Sequence, residues 1–590
     1  MIRRSPQTRI PLQAKESGKL RTASLTRTRA LNPPPTLPTR NRPGTQARLA
    51  RRIISTANWC DASRSQSRPY NKRPMNLFRA LLTVSGFTLL SRVTGLIRET
   101  LIARAFGASQ FTDAFYVAFR IPNLLRRLSA EGAFSQAFVP ILAEFKNTEG
   151  HDATKALVDA MSTVLAWTLA VLSLAGVAGA SWVVFAVASG LEHDGHAFGL
   201  AVTMTQIMFP YIIFISLTSL ASGVLNTYRQ FSLPAFAPVL LNVSFIAAAV
   251  FLAPHLKVPV YALAYAVIVG GILQFLVQIP GLKKINMVPR IGLNFFRALR
   301  HPGVKRVLIK MVPMTFGVSV AQLSLIINTN IASRLGPGAV SWINYSDRLM
   351  EFPTALLGAA LGTILLPSLS KAHVDADPVE YSALLDWGLR ITFLMAAPSG
   401  VALFFFAEPL TATLFHYGKF DAHSVVMVGR ALSAYGVGLV GLILIKILTP
   451  GFYAKQDIKT PVIIGIIVLI AIQLSNLIFV PIFAHAGLTL SIGLGACVNA
   501  TLLFIGLRKR GIYQPSPGWA RFFAQMIGAC LVLAGVMHWV AGNFDWIGMR
   551  AVPLERIMLL GASLVVFGAL YFGMLSAMGF KYAYFRRRTL

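Results

Sequence analysis

The chain has 590 residues, 55% of them hydrophobic and only 13% charged, with a formal net charge of +33. Soluble domains carry about twice that share of charged residues. A soluble enzyme and a nucleic-acid-binding module are therefore excluded as readings of the whole, and repeated apolar runs of bilayer length point to an all-α polytopic membrane protein.

The charge is concentrated at the start. Residues 1–74 hold 17 Lys/Arg against Glu16 and Asp61 and include "NPPPTLPTRNRPG". Such a stretch cannot bury enough apolar surface to fold. It reads either as a basic disordered extension or as sequence upstream of a true start at Met75, where the membrane pattern begins. No hydrophobic core with a small-residue cleavage site marks a signal peptide. Cys60, Cys497 and Cys530 stand far apart, and no histidines have H-E-x-x-H spacing, so neither a disulfide framework, a metal nor a cofactor is expected.

From Met75 onward about fourteen spans are predicted, at 77–106, 111–143, 155–189, 198–227, 235–254, 259–281, 304–334, 338–370, 382–406, 424–453, 460–482, 486–508, 518–541 and 556–579. Lys and Arg crowd into 283–310 and "FRRR" (585–588), whereas "GLEHDGHAFG" (190–199) falls on the other side. The positive-inside rule then puts both termini in the cytoplasm. The basic 283–310 stretch also suits contact with anionic lipid headgroups.

An internal repeat is visible: "IARAFGASQFTDAFYVAFRIPNLL" (102–125) parallels "IASRLGPGAVSWINYSDRLMEFPTALL" (331–357). Six helices per copy give two lobes of equal orientation, with a site expected at their interface near mid-depth. The divisions read as an N-lobe 75–281, a basic linker 282–303, a C-lobe 304–508, and two further helices with a basic end in 509–590.

Charges inside these spans are the functional signal. The first, "LLSRVTGLIRETLIARAFG" (89–107), carries Arg92, Arg98, Glu99 and Arg104. A mid-membrane arginine costs about 2.5–3.5 kcal/mol on insertion scales. Arg104 is near the helix end and suits snorkelling. Arg92 and Arg98 are about 120° apart on a straight helix. A bend at Gly95 would aim both into one cavity; alternatively, Glu99 neutralises one of them. The second span brings Asp113, Arg120, Asn123, Arg126, Arg127 and Glu131 around Pro122. The eighth brings Ser341, Asp347, Arg348 and Glu351, with Arg348 and Glu351 placed to pair at i,i+3. Seven arginines face five acids in this set, which reads as a cavity with excess positive charge. Guanidinium forks match phosphate oxygens, so the expected substrate is phosphorylated and lipid-linked. No D-x-D or nucleophile–base pair supports an enzyme instead.

"SRVTGLIRE", "TDAFYVAFRIPNLLRRLSAEGAFSQAFVPILAEF", "SLIINTNIASRLGPGAVSWINYSDRLMEFP", "LGTILLPSLSK" and "PGFYAKQDIKTPV" resemble the MurJ (MviN) family of bacterial lipid II flippases, over residues 75–590. The resemblance implies a member of the multidrug/oligosaccharidyl-lipid/polysaccharide exporter superfamily in the inner membrane. Its partners would be lipid II and bilayer lipids; a monovalent counter-ion is a further candidate, the sequence does not show ion coupling, and the oligomeric state is open with a monomer expected. It implies a substrate clamp of Arg92, Arg98, Arg126 and Arg348 with Asn123 and Ser341. Asp113, Glu99, Asp347 and Glu351 would form a gating or charge network, and the last two helices a groove for the lipid tail. The alternative is another lipid-linked oligosaccharide flippase, or a drug/cation antiporter of the same superfamily.

Overall fold

The computed structural model describes residues 77–126 and 133–580. The chain divides into Met1–Pro74 and Met75–Leu590; the expectations for 1–74, Arg127, Glu131 and the basic end at 585–588 lie outside the described residues. Among the described residues every regular element is helical.

The first predicted span is one continuous helix, α1 (Leu77–Phe106). The second holds two helices, α2 (Gln110–Arg126) and α3 (Ala133–Thr148). The third breaks at Gly179 into α4 (Gly150–Ala178) and α5 (Ala180–Ala188). The fourth breaks at Pro210, which needs no amide partner at a helix start, into α6 (Gly195–Met208) and α7 (Tyr211–Thr227). Next come α8 (Ser232–Ala247), α9 (Tyr261–Leu276) and α10 (Ile279–Lys284). A linker containing α11 (Phe295–Leu299) leads to α12 (Pro302–Ser333), α13 (Ala339–Val374), α14 (Pro378–Phe405) and the short α15 (Ala407–Phe415). Then follow α16 (Ala422–Tyr453), α17 (Lys459–Phe483), α18 (His485–Lys509), α19 (Trp519–Asn543) and α20 (Pro553–Ala577). Ten helices among the described residues are long and apolar enough to cross a membrane. The long helices α1, α12 and α13 are not in that set, and α1 and α13 carry the charges that build the site.

Helix α16 is the spine of the C-terminal group. A Cβ added at Gly438 would stand 2.1 Å from Gly493 Cα of α18, and one at Gly436 would meet Gly400 O of α14 at 2.8 Å. Small residues thus bring three backbones together where lipid gives no hydrophobic drive. Helix α12 reaches across to the N-terminal group: Gly303 packs on Leu157 and Phe145, and Arg306 forks onto Glu144 at 3.0 and 2.7 Å. Helices α19 and α20 pack beside α14 and α15, with the Phe406 ring against Trp546 and Phe567. Buried Asp386 staples the connection that leads into them, accepting from Arg390 Nε, Tyr513 Oη and Trp519 Nε1, each at 2.8 Å.

Candidate functional site

A cavity of about 220 Å³ lies between the two helix groups. Helix α1 contributes Arg98 and Glu99, α2 contributes Tyr116, Arg120 and Asn123, and α8 contributes Phe245. The other wall is Asn328 and Thr329 of α12, Asn344, Asp347, Arg348 and Glu351 of α13, and Tyr435 of α16.

Glu99 is the centre of this wall and is 3% exposed. It accepts from Arg98 Nη2 at 2.5 Å and from Tyr116 Oη at 3.4 Å. Arg348 Nε of the other helix group stands 3.3 Å from the same Oε1, an ionic contact that lacks hydrogen-bond alignment. Arg98 Nη1 donates to Asn242 Oδ1 at 3.0 Å, and its guanidinium lies 5.1 Å from the Phe245 ring centre. Arg348 Nη1 donates to Glu351 Oε2 at 2.9 Å. A polar chain Asn242–Arg98–Glu99–Arg348–Glu351 therefore runs from one helix group to the other. Beside it Asp347 accepts from Tyr435 Oη at 2.5 Å and feels the charge of Arg120.

This geometry corrects the expectation of a chamber rich in unpaired positive charge. Three arginines and three carboxylates line it among the described residues. The reason is helical geometry. No break forms at Gly95, as α1 continues as one helix to Phe106. Asn242 lies beside Gly95, and its amide donates to Ser91 O at 2.9 Å. Arg92 stays on its own face, exposed and off the cavity lining. Arg126 donates Nε to Asn123 Oδ1 at 3.0 Å and is likewise off the lining, whereas Asn123 is on it. Arg104 is exposed at the end of α1.

Asp113 and Ser341 lie away from the cavity wall, at one end of the molecule where the two helix groups close together. Asp113 is buried and accepts from Gly338 N at 2.6 Å, Ser341 N at 2.7 Å and Ser341 Oγ at 2.6 Å. It thereby satisfies orphan amides at the N-terminus of α13 and complements the helix dipole. Tyr345 Oη donates to Gly107 O at 3.2 Å, and Lys419 N to Arg104 O at 2.9 Å. Gly190 N donates to Ser333 Oγ at 3.1 Å, and Arg334 Nη2 to Ser189 Oγ at 2.8 Å. The connections around 107–109, 189–194, 334–338 and 416–419 thus form a single closure over the chamber.

The closure has a second tier. Arg556 of α20 is fully buried and, among the described residues, pairs with no carboxylate. Its Nη1 and Nη2 donate to Trp546 O at 3.3 Å and His416 O at 3.4 Å, and it lies 5.0 Å from the Tyr417 ring centre. Arg550 Nη2 donates to Gly418 O at 2.5 Å.

Residues 102–577 match the family model described as lipid II flippase MurJ. A "Lipid II flippase MurJ" of Burkholderia cenocepacia is 84% identical over 515 residues, covering 87% of this chain and all of that one. The chain belongs to the MurJ family of lipid II flippases. A "Probable lipid II flippase MurJ" of Haemophilus influenzae is 39% identical over 82% of this chain and 97% of its own length. A solved MurJ, described as an inward closed conformation, superposes with TM-score 0.70 at 21% identity over 84% of this chain and 99% of its own. An inward-facing multidrug transporter of the MATE family gives 0.60 at 14% identity, covering 73% of this chain and 98% of that one; at such identity these two matches establish the shared fold. Family membership makes this chain a multi-pass membrane transporter.

Reading the sequence for charge left several residues in and around the chamber unassigned. Arg120 stood out as an arginine but without a role. Asn242, Tyr116, Tyr435 and Phe245 gave no signal, because single neutral residues in apolar spans are ordinary; only their positions reveal them.

Proposed function

We propose that the chain moves lipid II from the cytoplasmic to the periplasmic leaflet of the bacterial inner membrane by alternating access, with both termini in the cytoplasm. With that orientation the closure faces the periplasm. The observation that carries the reading is Glu99 held between Arg98 of α1 and Arg348 of α13. One carboxylate occupies two guanidinium groups from opposite helix groups.

A diphosphate carries several negative charges and strong acceptor oxygens. It competes for both guanidinium groups, since Arg forks bind phosphate in two-pronged fashion. Its entry releases Glu99 from one or both arginines and changes what holds the two groups together. The chamber of about 220 Å³ suits the diphosphate, and the tail stays in lipid along the helix exteriors, with α19 and α20 as the proposed groove. Rocking of the groups then breaks the Asp113–Ser341 closure and exposes the head group outside. No bond is made or broken, so no catalytic residue is assigned.

Purified protein in vesicles with fluorescently labelled lipid II tests this. Arg348→Ala should reduce translocation at least tenfold, with insertion and folding unchanged. Undiminished translocation would remove the clamp.

A further inference from the structure

The linker between the helix groups has a face that the transport reading does not use. It is pinned to α4 at three points. Arg290 N donates to Asp159 Oδ1 at 2.8 Å, Gly292 N to Thr163 Oγ1 at 2.9 Å, and Trp167 Nε1 to Gly292 O at 3.0 Å. These contacts set its depth. From Trp167 to Ala188 the helical chain of α4 and α5 rises about 30 Å, the thickness of a hydrocarbon core. Trp167 is 42% exposed and sits where interfacial tryptophans gather. The linker therefore runs at the boundary between headgroups and acyl chains.

Its side chains are sorted for that boundary. Phe295, Ala298 and Leu299 pack on the apolar cluster of the N-terminal group. Ile291, Leu293 and Phe296 point away from the protein, 54%, 90% and 72% exposed. Arg290, Arg297 and Arg300 are exposed beside them. Apolar residues with interspersed arginines at one level are the signature of a segment lying in an anionic interface.

The geometry points to residues 290–300 as an anionic-phospholipid binding segment. Leu293 and Phe296 enter the acyl boundary, and Arg290, Arg297 and Arg300 hold phosphate headgroups. The bond between the two helix groups is then also a contact with the bilayer, and the linker's position depends on lipid charge. The inference rests on membrane embedding and is independent of what the chamber carries.

The test uses the full chain in nanodiscs of phosphatidylcholine alone or with phosphatidylglycerol. Cys60, Cys497 and Cys530 are replaced by serine, and a nitroxide is placed at Leu293→Cys or Phe296→Cys. Collisions with oxygen should exceed those with a water-soluble nickel chelate, more so with phosphatidylglycerol. Each basic residue near an anionic surface contributes about fivefold in association. The triple variant R290Q/R297Q/R300Q should therefore lose on the order of a hundredfold in phosphatidylglycerol retention, read by native mass spectrometry. Residues 1–74 are present in both proteins, so their contribution cancels. A water-like nitroxide in both lipids overturns the proposal, as does unchanged retention by the triple variant. The pinning bonds use backbone atoms of 290 and 292, which these substitutions preserve.

Discussion

Glu99 and Arg348 meet at 3.3 Å across the interface of the two helix groups, one nearly buried and the other about a third exposed. The same carboxylate binds Arg98, so it suppresses repulsion between the two guanidinium groups.

Glu99→Gln removes the shared charge and leaves two arginines facing a neutral amide. Losing one partner of a buried pair costs about 3–5 kcal/mol; Arg348 reaches solvent, so the lower part of that range is expected. A soluble diphosphate can take the carboxylate's place. The thermal midpoint of E99Q should fall, and pyrophosphate should raise it more than it raises the unsubstituted protein. Equal shifts, read by intrinsic fluorescence on heating, would mean that the arginines do not bind diphosphate.

Asp113→Ala strips three hydrogen-bond acceptances from the start of α13. Each unmade buried bond costs about 1–3 kcal/mol, enough to shift a two-state closure by tenfold or more. Asn344→Cys, on the chamber wall, reports the opening. A membrane-impermeant thiol reagent added on the periplasmic side should label it in D113A and leave it unlabelled otherwise.

Gly418 and Gly107 make the backbone contact at the same closure. Gly418 has φ +55°, and a Cβ there would stand 2.3 Å from Arg104 O; the Gly107 position meets Lys419 O at 2.6 Å. Gly418→Ala should prevent closure and raise periplasmic labelling of the same reporter. Gly336→Ala is the control. Its φ is +106° with nothing within 4 Å, so it carries backbone strain without a clash. Equal labelling in both variants would assign the effect to strain.

The architecture was legible where physics is local. Apolar run length marked α1 and α16 within a residue or two, and misplaced charge marked Arg98, Glu99, Asp347, Arg348 and Glu351, all on the chamber wall. Rotation about a helix axis was harder to read. Arg92 fell outside because it is on a different face of α1 from Arg98, and Ser341 and Asp113 belong to the closure because α13 begins there. Pairing was hidden altogether. Counting seven arginines against five acids says nothing about which meet, and Asn242 reaches α1 from a helix about 150 residues away. Arg556 resembles any arginine at a helix start that snorkels to water; only the fold places Trp546, His416 and Tyr417 over it.

His416 links that buried arginine to acidity. Burial pushes its imidazole below the ordinary value of 6.5, and Arg550 and Arg556 push the same way against Asp421. Between the lowered folded value and the unfolded one, the unfolded chain binds more protons. Stability from neutral His416 is therefore complete above about pH 6.5 and is lost as pH falls toward the folded value. The residues that lose order first should be 416–419, which Arg550 and Arg556 hold from one side and which cover the end of α1 on the other. Periplasmic labelling of Asn344→Cys should rise on acidification from pH 7.5 to 5.5, and His416→Gln should flatten that rise. Arg556→Met, which keeps the volume but frees the His416 and Trp546 carbonyls, should raise labelling at every pH, with Arg556→Lys intermediate. If R556M labels like the parent at both pH values, α20 has no part in the closure and Arg556 only fills space.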